Sequence, residues 1–262
     1  MQPVHIKRGN SPLILAVPHT GTYVSANIAT KFNANGCKLT DTDWHVDRLY
    51  RGLLPGATVI KANFHRYVID ANRDPSGKSL YPGQNTTGLC PQTDFDGKDI
   101  YKKTCVPDAG EIEQRRQAFH RPYHQAIASE INRLRRRHKK IVLYDCHSIR
   151  SHAPYLFEGT LPDFNIGTNN GETCDPRLEK IVTNICLQAD EFTNVVNGRF
   201  KGGWTTRHYG NPSIGIHAVQ MELAQRTYMS EKPPWLYQSA KARKTRRVLR
   251  TLLQAIENFG FN

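Results

Sequence analysis

Ile141-Val142-Leu143-Tyr144-Asp145-Cys146-His147-Ser148 opens on three β-favouring apolar residues and closes on a cluster of polar ones. The apolar run reads as a buried strand, with the polar cluster at its C-terminal end. In an open α/β sheet that edge is where ligands and catalytic groups gather. His147 stands near Asp145, a carboxylate that could orient its ring, as a metal ligand with its outer support would. A surface histidine in a strand-to-loop turn is the competing reading, and for this segment alone it is the better one. Cys146 and His147 form no nucleophile dyad, because adjacent strand residues point to opposite faces.

A second strand that ends the same way changes the balance. Leu13-Ile14-Leu15-Ala16-Val17 is another apolar run, stopped by Pro18 and followed by His19-Thr20-Gly21. Two strand-end histidines can share one ion if their strands are neighbours. A zinc site also needs a third protein ligand and commonly leaves a fourth position for water. The segment Asp41-Thr42-Asp43-Trp44-His45-Val46-Asp47-Arg48-Leu49-Tyr50 offers that ligand. Val46, Leu49 and Leu53 recur at helical spacing, with Thr40 or Asp41 as N-cap, which puts Asp43 and Asp47 on a common face. Acidic residues in a first turn also complement the helix dipole, which accounts for Asp41 and Asp43 better than for Asp47. Asp47 is therefore the preferred ligand and Asp43 the second choice.

The 262 residues suffice for one large α/β domain, and no compositional break divides residues 1–262. The Pro- and Gly-rich tract 74–97 reads as a long loop of the kind that serves as a lid. No apolar run is long enough to span a bilayer and no export signal opens the chain. Six cysteines without framework spacing then read as reduced thiols of a cytoplasmic protein. The net charge of +13 raises a nucleic-acid hypothesis. Much of that excess lies in 133–140, at the end of a helix running from about Glu111, and in 241–247, on a C-terminal helix. Both read as solvated faces of packed helices, the first also complementing its dipole. A small anionic substrate drawn in by the positive field is the preferred partner, ahead of nucleic acid.

Two further segments carry chemistry. Arg73 beside Asn72 offers a planar fork and an amide, suited to a substrate carboxylate, although Asp70 or Asp74 could equally pair with the arginine. Ile216-His217-Ala218-Val219-Gln220-Met221-Glu222-Leu223 reads as a strand with Glu222 near its end. A carboxylate in such apolar company needs a raised pKa or a cationic partner, and Arg226 is a candidate for the latter. Near an activated water, Glu222 would serve as general base and then acid. The pair Gly202-Gly203 suggests a close backbone approach or a hinge.

The series Pro18-His19-Thr20-Gly21, 41–47, 66–73, Asp145-Cys146-His147-Ser148-Ile149-Arg150, Asn197-Gly198-Arg199-Phe200-Lys201-Gly202-Gly203 and 220–223 closely resembles the N-formylglutamate amidohydrolases, from roughly Ser11 to Tyr228. The resemblance implies hydrolysis of N-formyl-L-glutamate to L-glutamate and formate, within histidine degradation. A more distant likeness to zinc carboxypeptidases rests on His147-Ser148, Asn72-Arg73 and Glu222-Leu223 in that order. It implies a three-layer α/β/α fold around a mixed, mostly parallel sheet, like that of the zinc-dependent exopeptidases. It also implies a zinc ligand, a carboxylate clamp and a general base at those positions. The carboxypeptidase pattern has a glutamate ligand three residues after its first histidine, and here that residue is Thr22. One divalent ion, expected to be zinc, would thus be held by His19, His147 and either Asp47 or Asp43. The substrate's two carboxylates call for two cationic contacts: Arg73 for the first, with Arg150, Arg199, Lys201 and Arg207 competing for the second.

Overall fold

The computed structural model describes residues 1–261, and its strands are Val4–Lys7 (β1), Leu13–Val17 (β2), Thr58–Ala62 (β3), Ile141–Ile149 (β4), Phe164–Gly167 (β5), Asn194–Val196 (β6) and Ile216–Ala224 (β7). They form one sheet in the order β1-β3-β2-β4-β7-β5-β6. The central strands β3, β2, β4 and β7 run parallel. β1 is antiparallel to β3 and β5 antiparallel to β7, while β6 returns parallel to β5. The sheet is mixed and mostly parallel, as the sequence led us to expect. β2 and β4 are direct neighbours, which the convergence of His19 and His147 requires.

The helices are Ala26–Ala29 (α1), Val46–Tyr50 (α2), Ala109–Arg115 (α3), Arg121–Arg135 (α4), Pro176–Leu187 (α5), Trp204–Tyr209 (α6) and Ser239–Phe261 (α7). The period-two alternation of strand side chains sorts the core into two layers. Leu15, Tyr144 and Met221 point to one face, where they pack against Leu178 and Val182 of α5 and Leu252 and Ile256 of α7. Ile14, Leu143 and Ala218 point to the other, against Tyr123, Ile127 and Leu134 of α4. Each fully buried Leu or Ile contributes ~1.5–3 kcal/mol. All nine residues of β4 are buried, so its apolar positions help offset the cost of enclosing Asp145 and His147 in the same strand.

Three local expectations differ from the structure. β4 does not stop at Leu143 but continues to Ile149, because β7 pairs with it along its whole length. His147 is therefore inside a strand, fixed by ladder hydrogen bonds, and not in a turn. The helix expected from Glu111 is interrupted by a π-turn at Arg116–His120 between α3 and α4, a form that recurs at functional sites. The helix expected from about Asp41 begins only at Val46, after His45 in a left-handed conformation at φ 64°. No helix among the described residues is long and apolar enough to cross a membrane, and all six cysteines are unpaired.

Candidate metal centre and its arginine-lined cavity

His19 leaves the end of β2, and its carbonyl accepts a hydrogen bond from the Asp43 backbone N–H at 3.1 Å. That bond draws the 41–45 turn over the sheet edge and brings the Asp43 carboxylate to both histidines. His19 Nδ1 and His147 Nδ1 face each other at 3.2 Å, and Asp43 Oδ2 lies 3.7 Å from the first and 3.3 Å from the second. All three side chains are buried. Two imidazole nitrogens and a carboxylate oxygen within 4.8 Å of one another are a donor set that a divalent ion accepts.

The opposite ring edges bear on whether an ion suits this cluster. His19 Nε2 lies 2.7 Å from Asp70 Oδ1. His147 Nε2 lies 3.1 Å from Asp145 Oδ2 and 2.9 Å from Asn72 Nδ2. A ring nitrogen beside a carboxylate keeps its proton there, which leaves Nδ1 as the donor atom. Two Nδ1 lone pairs and a carboxylate then confront one another in a buried site. A cation between them relieves that repulsion, and without one a proton must do so. Consistently, the His147 pKa is held well above the ordinary histidine value: burial opposes its charge, but Asp145 and Asp43 outweigh burial. Burial would likewise raise Asp43, yet Arg66 and the hydrogen bonds of both histidines hold it below the usual carboxylate range. The donor set fits a metal ion.

Glu222 is the cross-strand neighbour of His147 in the β4–β7 register and points to the same face. Burial pushes its pKa up to about 8, with His147 acting in the opposite direction. Gln220 Nε2 donates to Glu222 Oε2 at 3.2 Å, while its Oε1 accepts from Gly203 N–H at 2.7 Å. Arg226, the alternative partner for Glu222, pairs instead with Asp163 at 2.9 Å. Glu222 is thus left facing the cluster without a salt bridge among the described residues.

A cavity of about 60 Å³ adjoins the cluster, and His19, His147 and Glu222 line it together with Arg66, Arg73 and Arg199. Tyr81 and Thr87 of the 74–97 loop also reach it, so the predicted lid does border the site. Arg73 bonds the Thr87 carbonyl through Nε at 2.8 Å, and its Nη1 lies 3.7 Å from Asp70. Asn72 accepts from Thr205 N–H at 2.8 Å, tying the α6 start to the His147 ring. A Cβ at Gly203 would fall 2.2 Å from the Asn72 amide, so the backbone approach expected at Gly202-Gly203 is real and requires glycine at 203.

The placement corrects the preference for Asp47. Its side chain turns to Lys61 at 3.1 Å and sits in a separate opening beside His5 and Arg51. The assumed common helical face fails because Asp43 precedes the helix and Asp47 lies in its first turn. Arg150 pairs with Asp96 at 2.7 Å, outside the central cavity. Arg207 bonds the Gly202 and Leu80 carbonyls, and neither it nor Lys201 lines the cavity among the described residues. Of the four rivals for the second cationic contact, Arg199 alone is there. Arg66 was given no role from the sequence, and Asp70 was named only as a possible partner of Arg73, which it is at 3.7 Å, not as the support of His19. An arginine inside the buried run 64–69 was a usable signal, since it demands a buried acid, and Asp43 at 2.7 Å is that acid.

Fold and site together define an α/β protein with a metal-competent His-Asp-His centre at the C-terminal ends of parallel strands. Residues 11–229 match the N-formylglutamate amidohydrolase family. The chain is 45% identical to the N-formylglutamate deformylase of Pseudomonas aeruginosa, over 97% of this chain and 96% of that one. It is 45% identical to that of Pseudomonas putida, over 97% and 95%. The crystal structure of N-formylglutamate amidohydrolase from Ralstonia eutropha JMP134 shares the fold, with a TM-score of 0.82 at 24% identity across 99% of both chains. The chain belongs to the N-formylglutamate amidohydrolase family.

Proposed function

We propose that this chain hydrolyses the formamide bond of N-formyl-L-glutamate, giving L-glutamate and formate. The observation that carries the reading is the convergence of His19 Nδ1, His147 Nδ1 and Asp43 Oδ2 beside Glu222, in a cavity that also holds arginines. The names of the relatives from two Pseudomonas species support the substrate. In this reading His19, Asp43 and His147 hold one divalent ion, expected to be zinc, which when bound supplies Lewis acidity to the formyl oxygen and to water.

The rest of the reaction is assigned to the protein's own groups. Asp70 and Asp145 hold the two imidazoles in orientation from behind. Glu222 takes a proton from the attacking water and returns it to the leaving amine. A carboxyl held at about 8 by burial can both accept and release a proton near neutral pH, as such a shuttle must. Arg73 binds a substrate carboxylate from the Asn72 side of the cavity. A role in histidine degradation is part of the proposal, supported by the resemblance to the family. A cytoplasmic setting is part of the proposal, supported by six thiols of which none is paired. The basic excess serves to attract a dianionic substrate, with no nucleic acid required.

The test is formate release by purified, zinc-supplemented protein from N-formyl-L-glutamate, with N-acetyl-L-glutamate as the comparison. Formate from the first, with much slower turnover of the second, is the expected result. No formate from N-formyl-L-glutamate would overturn the reading.

A further inference from the structure

The arginines of the cavity differ in one respect that bears on substrate choice. Arg66 is neutralised by Asp43 at 2.7 Å, and Arg73 has Asp70 at 3.7 Å. Arg199 has no carboxylate within ion-pair distance among the described residues. Its Nε donates to the Leu156 carbonyl at 2.8 Å and its Nη2 to the Asn85 carbonyl at 2.8 Å. Its Nη1 is buried and has no hydrogen-bond partner among the described residues. The guanidinium is also held by rings, with Tyr81 centred 5.1 Å and Phe200 5.4 Å from its Cζ. Backbone carbonyls and aromatic faces fix the plane of this group without cancelling its charge. A buried donor without a partner is costly unless a ligand completes it.

Its position relative to the centre indicates which carboxylate it would take. Arg73 is joined to the histidine cluster through Asp70 and its neighbour Asn72, which touch His19 and His147 directly. Arg199 shares no partner with the cluster and is anchored on the 74–97 loop and the segment after β4. In an N-formyl amino acid the α-carboxylate is attached next to the scissile amide and the side-chain carboxylate is farther along. We propose that Arg199 is the specificity-determining residue that binds the side-chain carboxylate, so that the site selects acidic N-formyl amino acids. Arg73 then binds the α-carboxylate common to every N-formyl amino acid. This assignment rests on the deformylase reading, and it deepens that reading by naming the group that recognises the acid.

The test compares kcat/KM for N-formyl-L-glutamate and N-formyl-L-glutamine in wild-type protein and in Arg199→Gln. Wild-type protein should prefer the acid strongly. In Arg199→Gln the value for the acid should fall about 10- to 100-fold, the size of a lost charge-assisted hydrogen bond, mainly through KM. The fall on the neutral glutamine substrate should be much smaller, so the preference collapses. N-formyl-L-isoglutamine, which keeps only the side-chain carboxylate, should lose as much as the full substrate. Arg199→Lys keeps the charge without the fork and should lie between. It is read in the same way if the glutamine variant does not fold, as checked by circular dichroism. Equal losses on the acid and the neutral substrate, or an unchanged preference, would overturn the assignment. Failure of wild-type protein to release formate from any of these substrates would instead overturn the deformylase reading itself.

Discussion

Replacing Asp43 with asparagine keeps the shape of the side chain and removes the charge that faces Arg66, His19 and His147. The Asp43 side chain is 1% exposed and Arg66 is 7% exposed, at 2.7 Å. Removing one member of a buried pair strands the other charge, at a cost of ~3–5 kcal/mol. At ~2–4 °C per kcal/mol for a chain of this size, the Tm of metal-free protein should fall by roughly 6–20 °C. Asp47 provides the internal comparison, because its side chain is 31% exposed and its partner Lys61 29% exposed. A pair so open to solvent is worth ~0–1 kcal/mol, so Asp47→Asn should shift Tm by no more than ~4 °C. Both variants would be melted by calorimetry as metal-free protein, then dialysed against limiting zinc and analysed for bound metal. Asp43→Asn should bind much less zinc than wild type, and Asp47→Asn should bind the same amount. Zinc lost from Asp47→Asn and kept by Asp43→Asn would refute the ligand assignment.

Glu222→Gln should keep its metal but lose ~10²–10⁴-fold in turnover, the usual contribution of a general base. The same variant should stabilise metal-free protein. The folded pKa of Glu222 is raised to about 8, so burial disfavours the charged form and wild-type stability declines as pH climbs from the ordinary glutamate range to 8. The advantage of the glutamine should grow over that interval in denaturant titrations and level off above it. Cys146→Ser should retain zinc, because Cys146 lies in the core on the opposite face of β4 from His147. The buried hydroxyl should cost ~1–3 kcal/mol in a melt. His120 bonds the Arg73 carbonyl at 3.0 Å, so His120→Ala should raise KM for N-formyl-L-glutamate more than it lowers kcat, with metal content unchanged.

The strands that carry the site were legible because their signals are local, whereas the outer strands β1, β5 and β6 were not read. The runs at 13–17 and 216–223 became β2 and, with one residue more, β7, and each carried its polar group to the sheet edge. Asp145 and His147 share a face because they are two residues apart on a strand, a relation sequence alone supplies. Asp43 was harder to rank, since its position depends on a left-handed His45 and on a hydrogen bond to His19, neither of which is a pattern in the local sequence. Asp70 was out of reach for the same reason. It meets His19 across an interval of 51 residues, through a turn with no helical or strand period. The arginines could be named but not sorted, because what separates Arg199 from Arg150 and Arg207 is which of them the tertiary fold brings to the cavity.

The central claim is that His19, Asp43 and His147 hold one ion needed for deformylation. It is tested most directly by titrating chelator-treated protein with zinc while following formate release from N-formyl-L-glutamate. Activity should be absent without metal, rise with added zinc and saturate at one ion per chain. His147→Ala should fail to respond. Full turnover by protein shown to be free of metal would contradict the account.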